Sequence, residues 1–285
     1  MDRFSKLHPI FHFLYFIGMF ALVVSVYNPF FVAVSFLGVL MYEIKCRGRQ
    51  ALSSLKLTIA VVLVVSIFNM LFAHYGEDVL FVIGNTEFTL EALFYGVNQG
   101  FTLATMILWF GVFSRTTDSE KVIYVFRFAP KTALLFSMVL GFIPRFSRKL
   151  KEIEDAQLGL NGGQRRDSRI KTAINNLSAL VSYSLESSII TADSMTAREY
   201  NPKAVRYNRY KITPADLVLI AVSVLAIACV AFAKITDKIT FIFEPTIYSK
   251  SFDYAAFAVF CFFSLLPVAV DLTEEILWKI SYAKN

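Results

Sequence analysis

Six apolar runs separated by polar segments dominate the sequence. The runs cover residues 9–26, 29–42, 57–73, 92–113, 217–233 and 254–270. A helix needs about 20 mostly apolar residues to cross the hydrocarbon core of a bilayer, and most of these runs approach that length. The pattern therefore predicts an all-α, polytopic membrane protein with about six transmembrane helices, the second of which is short.

The apolar runs fall into two groups on either side of a polar middle section. Four runs lie within residues 1–114 and two within residues 216–285, so these segments are predicted to be the N-terminal and C-terminal transmembrane regions. Residues 115–215 carry 17 of the 28 Lys and Arg residues and have mixed, amphipathic patterns. We expect this middle section to be cytoplasmic or interfacial.

Lys and Arg are unevenly divided between the two sides of the predicted topology. With the N-terminus in the cytoplasm, 25 of the 28 fall on the cytoplasmic side, and the others are Lys234, Lys238 and Lys250. Because cytoplasmic loops of membrane proteins carry an excess of Lys and Arg, this distribution predicts that both termini are cytoplasmic in a multi-pass protein of the cell membrane. The same rule accounts for the net charge of +6, so we expect no nucleic-acid partner.

The polar middle section has the signals of two long amphipathic helices. Residues 117–120 read as a capping box and start a short helix. An apolar run at 133–143 ends at Pro144 and is expected to lie near the membrane interface, and a basic amphipathic helix follows it. Glycines near residue 160 end that helix, and a second, Ser-rich helix is expected from about 169 to 200. Two such helices, joined by a Gly-rich turn, suggest rigid arms that extend from the membrane and contact another molecule.

Motifs for catalysis and for metal binding are absent from the sequence. It has no G-x-x-x-x-G-K-[ST] loop for nucleotide phosphates, no H-E-x-x-H and no G-x-S-x-G. Its three cysteines and three histidines lack metal-ligand spacing, so we expect no metal site and no cofactor. Glu186 and Asp193 lie seven residues apart on one helix face, which we interpret as a packing face. A membrane-embedded enzyme that uses these carboxylates or His74 is an alternative without a supporting nucleophile–base pair.

Several sequence strings occur in an order and spacing that are typical of one transporter family. They are residues 69–76, 79–81, 88–96, 137–138, 142–144, 156–157 and 192–200. In these strings the chain resembles the transmembrane T component of energy-coupling-factor (ECF) ABC transporters, and the resemblance extends to about Asp216. The string at 192–200 reads Ala-Asp-Ser-Met-Thr-Ala-Arg-Glu-Tyr and is the most diagnostic, because it looks like the family's second Ala-Arg-Gly coupling motif.

The resemblance implies a mechanical, non-catalytic role in transport. In that family the T component sends two long coupling helices to a pair of ABC ATPase subunits. It also embraces an S subunit, which binds a vitamin or a metal ion. By resemblance, the second coupling motif would dock in one ATPase through Ala197, Arg198 and Glu199. The first motif would comprise Ala156, Gln157, Leu158 and Gly159.

The coupling motifs depart from the family's pattern at both ends. Glu199 stands where the second motif has glycine, which adds bulk and charge beside Arg198. The first motif contains no arginine, so an arginine contact at that end would have to come from Arg165, Arg166 or another residue. The last apolar run lies beyond the part of the chain in which the resemblance is recognised.

A self-contained secondary transporter or channel is the alternative function. Such a protein would have internal inverted repeats and broken helices that meet near the membrane midplane. The sequence shows no such repeat, and the arrangement of four apolar runs, a basic region and two further runs disfavours it.

Overall fold

A computed structural model describes residues 3–48, 51–72, 79–83, 86–126, 130–160, 168–200, 210, 212–242, 248–249 and 251–283. Its helices are α1 (Arg3–Lys6), α2 (Pro9–Ser25), α3 (Pro29–Arg47), α4 (Ala51–Phe72), α5 (Leu90–Thr116), α6 (Ser119–Val125), α7 (Pro130–Leu160), α8 (Arg169–Ala197), α9 (Pro214–Ile235) and α10 (Tyr254–Ala283). The chain divides into two units. The first comprises Met1–Asp118 and Tyr210–Asn285, and the second comprises Ser119–Arg209.

The helices of the first unit follow the predicted apolar runs. Among the described residues, five helices are long and apolar enough to cross a membrane, namely α3, α4, α5, α9 and α10. The helix α2 is also apolar but is 17 residues long, which is at the lower limit for a span. The prediction of a polytopic α-helical membrane protein is confirmed.

The connections in the first unit include helix ends and short hairpins. Residues 44–56, a basic segment between the second and third apolar runs, are mostly helical, because α3 continues to Arg47 and α4 begins at Ala51. Gly48 lies between them with a φ of 56°, a left-handed conformation that glycine adopts without strain. Two antiparallel hairpins pair β1 (Val79–Ile83) with β2 (Thr86–Thr89) and β3 (Phe241–Ile242) with β4 (Tyr248–Ser249). These short hairpins connect helices and leave the α-helical architecture unchanged.

Aromatic side chains fill the core of the first unit. The ring of Phe4 in α1 is fully buried and meets the rings of its neighbours on α2 and α3 edge-on. These neighbours are Phe11, His12, Tyr15, Phe16 and Tyr42. Trp109 in α5 is also fully buried, and its indole N–H donates a hydrogen bond of 2.9 Å to Ser35 Oγ in α3. These helices share the aromatic core with α10, whose buried Phe263 ring lies 4.8 Å from that of Tyr15.

Glycines allow α4 and α5 to approach closely. A Cβ on Gly100 would lie 2.8 Å from the Cα of Val62 in α4, and a Cβ on Gly96 would lie 3.0 Å from the Cα of Ser66. The two glycines are four residues apart, which is the GxxxG spacing of close helix contacts in membranes. The backbone of α5 therefore approaches α4 closely at both glycines, and at Gly96 the Cβ of Asn69 lies in the same contact.

A proline inside α10 is compensated by a side chain from α2. Pro267 has no N–H to donate to the carbonyl of Phe263, four residues earlier. The hydroxyl of the buried Tyr15 instead donates a hydrogen bond of 3.2 Å to that carbonyl. An unsatisfied backbone group within hydrocarbon is strongly unfavourable, so the Tyr15 contact makes this proline tolerable in an apolar helix.

The helix α9 begins with a capping box formed by Thr213 and Asp216. The Oγ of Thr213 accepts the Asp216 N–H at 3.3 Å, and Asp216 Oδ2 accepts the Thr213 N–H at 3.0 Å. Pro214 occupies the first helical position, where no N–H is needed.

The second unit consists of α6, α7 and α8. The short helix predicted after 117–120 is present as α6, which begins at Ser119. The predicted capping box is wrong, because Thr117 is the C-cap of α5 and its buried hydroxyl has no hydrogen-bond partner among the described residues. The apolar run 133–143 and the basic segment after Pro144 are not separate elements, because both belong to the 31-residue helix α7. A proline within a helix removes one hydrogen bond and bends the helix without necessarily ending it. The second long helix is confirmed as the 29-residue α8, which begins at Arg169 after the N-cap Ser168.

Candidate coupling site on α7 and α8

Aromatic and basic side chains join the middle of α7 to the middle of α8. The Nζ of Lys149 lies 5.2 Å from the centre of the Tyr183 ring, a cation–π geometry, and Phe146 meets the same ring edge-on at 6.3 Å. Lys149 also donates a hydrogen bond of 2.9 Å to Glu152 Oε2, and this bond raises the pKa of Lys149 above its usual value. Lys149 is therefore charged at neutral pH.

Two further contacts show that α7 and α8 are antiparallel. Arg145 in α7 donates to Ser187 Oγ in α8 at 3.5 Å. Nine residues further along α7, Glu154 accepts a hydrogen bond of 3.5 Å from Asn176, which lies eleven residues before Ser187. Asn176 is buried, at 3% exposed, so it is a polar residue enclosed within the second unit.

The first candidate motif lies at the C-terminal end of α7. Its residues are Ala156, Gln157, Leu158 and Gly159. The first and last of them are exposed and the middle two are half-buried. The helix ends at Leu160, which is 88% exposed. The first motif has no arginine, and the two arginines that could replace it, Arg165 and Arg166, lie outside the described residues.

The second candidate motif forms the C-terminal end of α8. Ala197 is the last helical residue, and Arg198 is the C-cap with φ −87° and ψ 9°. Glu199 follows with a φ of 49°, in the left-handed region. All three residues are exposed. The helix thus presents the complete motif at its tip.

A pair of backbone hydrogen bonds holds this tip. The N–H of Tyr200 donates to the carbonyl of Met195 at 3.0 Å, and the N–H of Glu199 donates to the carbonyl of Thr196 at 3.0 Å. Together they form a Schellman motif, in which the residue at the position of Glu199 is left-handed and is usually glycine. The glycine of the resembled motif is therefore the residue that this backbone geometry favours.

The two motifs lie at opposite ends of the helix pair. From the contact between Lys149 and Tyr183, α7 continues for about 15 Å to Gly159, and α8 continues for about 22 Å to Arg198, at the helical rise per residue. Because the helices are antiparallel, these two ends extend in opposite directions. The structure therefore keeps the motifs apart as two separate tips.

An apolar stripe follows the exposed surface of α8. Its members are three or four residues apart and between 48% and 75% exposed. They are Ile170, Ile174, Leu177, Val181, Leu185 and Ile189. This spacing places them on one helix face about 30 Å long. A contiguous exposed apolar face marks an interaction surface. The three- and four-residue spacing of its members is visible in the sequence, where serines lie between them.

Hydroxyl groups on α8 bond to the helix's own backbone. Ser182, Ser188 and Thr191 donate to the carbonyls four residues earlier, at 3.2, 2.7 and 2.7 Å. Hydroxyls satisfied in this way need no further partner, so the helix can accept an apolar neighbour at close range.

The predicted packing face with Glu186 and Asp193 is wrong, because both residues are exposed. The face toward α7 instead carries Asn176, Tyr183 and Ser187. These three positions lie about 90° around the helix from the two carboxylates, given the 3.6-residue turn. The missed signal is the seven-residue spacing from Asn176 to Tyr183.

Neither similarity to known proteins nor a cluster of metal ligands in the described residues assigns a function to the chain. No protein-family model matches the chain, and no curated protein matches it. In the part of the chain that the structure describes, no three His, Cys, Asp or Glu residues are grouped so that they could hold a metal ion. Within the described residues, the two helix tips and the apolar stripe of α8 are exposed surfaces that another protein can contact.

Proposed function

We propose that the chain is the transmembrane T component of an ECF-type ABC transporter. It couples ATP hydrolysis by two separate ABC ATPase subunits to the uptake of a vitamin or metal ion bound by an S subunit. The observation that carries the proposal is the pair of accessible, oppositely directed tips on α7 and α8, each bearing one coupling-motif segment. Two separated tips suit one contact with each of two ATPases.

Arg198 is the residue through which the α8 tip binds its ATPase. Its guanidinium group offers five N–H donors in a planar fork, which a carboxylate can accept in a bidentate manner. ATP binding closes the two ATPases and moves the tips that they hold. Rigid helices transmit this displacement along α7 and α8, and the displacement shifts the seat of the S subunit.

The apolar stripe on α8 supports contact with the S subunit. The stripe is exposed, and the hydroxyls on the same helix are satisfied by its backbone. An apolar helix of the S subunit can therefore pack against it without leaving polar groups unpaired.

The excess of basic residues in the middle section supports a cytoplasmic position for α7 and α8. It also supports cytoplasmic N- and C-termini and a location in the cell membrane. The cytoplasmic position of α7 and α8 is required if soluble ATPases are to reach the tips.

The decisive experiment reverses the charge at the α8 tip. We expect Arg198→Glu to abolish ATP-driven uptake of the transported substrate in cells, with normal membrane insertion, because the donor fork is replaced by a repelling carboxylate. Arg148→Glu is the matched control, since Arg148 is an exposed arginine of α7 whose Nε donates within its own helix, to the Pro144 carbonyl. Normal uptake by the Arg198→Glu variant would contradict the coupling role.

Transport by the chain alone distinguishes the proposal from a self-contained carrier. We expect two ABC ATPases to co-purify with the wild-type chain, and we expect liposomes that contain only the purified chain to be inactive. Substrate transport by such liposomes would support the secondary transporter instead.

A further inference from the structure

Glu199 occupies a position that is unfavourable for it within its own chain. Its φ of 49° is left-handed, a conformation that is about 1–2 kcal/mol less favourable for a residue with a Cβ than the right-handed one. Its carboxylate also follows the C-terminus of α8, where the helix dipole favours cations over anions. Glycine would avoid both penalties and keep the same Schellman hydrogen bonds.

No described neighbouring group offsets these penalties. In the described part of the chain, the Glu199 side chain makes no hydrogen bond and no ion pair, and neither does that of Arg198. Both side chains are exposed, and Tyr200 beside them is 45% exposed. The tip therefore presents a cation and an anion on consecutive residues, held by fixed backbone hydrogen bonds.

We propose that Glu199 determines which ATPase binds the α8 tip. The docking surface then carries an acceptor for Arg198 and, next to it, a Lys or Arg side chain that pairs with Glu199. This inference rests on the proposed function and specifies the partner's chemistry, which is the reverse of the charge pattern of the tip. An ATPase without the basic residue would leave the Glu199 carboxylate unpaired on binding, and it would therefore bind the tip more weakly.

The replacement of Glu199 by glycine gives a test in which stability and binding change in opposite directions. We expect Glu199→Gly to raise the thermal unfolding midpoint, because it removes the left-handed strain. The same variant should bind the ATPase about threefold to tenfold more weakly, because the charge pair is lost. Glu199→Gln removes the charge but keeps the left-handed strain, so it should weaken binding similarly and raise the midpoint less than Glu199→Gly does.

The measurement uses the full-length chain in nanodiscs and the ATPase subunits that co-purify with the wild-type chain, titrated back at two salt concentrations. Glu199→Lys should weaken binding by more than about tenfold at low salt, and the loss should shrink at high salt. Glu186→Lys is the control, because it makes the same charge change at an exposed position about 18 Å from Arg198 along the helix.

The possible outcomes separate this inference from the proposed function. If Glu199→Gly binds the ATPase as tightly as the wild type does, or more tightly, the role of Glu199 is overturned. The T-component proposal would then still stand. An equal loss from Glu186→Lys would also overturn it, since the effect would then be one of net charge. If no ATPase binds the wild-type chain, the T-component proposal fails and this inference fails with it.

Discussion

The hydroxyl of Tyr15 takes the place of the hydrogen bond that Pro267 removes from α10. Tyr15→Phe leaves the buried carbonyl of Phe263 without a donor. We therefore expect the free energy of unfolding to fall by about 1–3 kcal/mol. Thermal or denaturant unfolding of the purified protein in detergent micelles measures this loss.

A Pro267→Ala protein distinguishes the hydrogen bond of the Tyr15 hydroxyl from the packing of the Tyr15 ring. Alanine at position 267 has an N–H that can donate to the Phe263 carbonyl, so Tyr15→Phe in a Pro267→Ala protein should lose about 1 kcal/mol less than in the wild type. Equal losses in both backgrounds would show that Tyr15 acts through ring packing alone, since its ring lies 4.8 Å from that of Phe263.

At the scale of elements, the contact between α4 and α5 depends on a missing side chain. Gly100→Ala would place a Cβ 2.8 Å from the Cα and 3.2 Å from the carbonyl oxygen of Val62, and these backbone atoms can move only with α4. Alanine favours the helix by about 0.8–1 kcal/mol, yet overpacking typically removes about 1–3 kcal/mol, so we expect a net decrease in the unfolding midpoint.

Gly111 on the same helix provides the matched control. A Cβ there would meet nothing within 4 Å, so Gly111→Ala should leave the midpoint unchanged or raise it. Similar decreases for both variants would indicate a general intolerance of α5 to alanine rather than a close contact with α4.

Helix starts were more predictable than helix ends and interruptions. The starts of α8 and α9 have capping side chains, Ser168 and Thr213, and a cap acts over three or four neighbouring positions. The continuity of α7 through Pro144 was not predictable in the same way. A local rule indicates a break there, whereas the helix on either side continues despite one lost hydrogen bond.

At the scale of the whole molecule, the orientation in the membrane can be tested with a thiol label. The exposed Cys46 is the cytoplasmic reporter in a Cys229→Ala, Cys261→Ala protein. With all native cysteines replaced, Lys238→Cys is the external reporter at an exposed position. We expect a membrane-impermeant maleimide to label the external reporter and not Cys46 in intact cells, because basic residues favour the cytoplasmic side.

Permeabilised cells are the control, since both reporters should then react. Labelling of Cys46 in intact cells would reverse the predicted topology. It would also place the helices α7 and α8 out of reach of cytoplasmic ATPases.

The sequence alone determines that this is a polytopic helical membrane protein and where the two motif segments lie along the chain. Apolar run length and capping residues are local properties, so they can be recognised without a fold. The tertiary structure decided which residues meet across long separations, such as Tyr15 with Phe263, 248 positions apart. It also decided that the motifs form two opposed tips, and that Glu199 is left-handed. Such features depend on how helices pack and how backbone ends are bonded, and residue order does not specify either one locally.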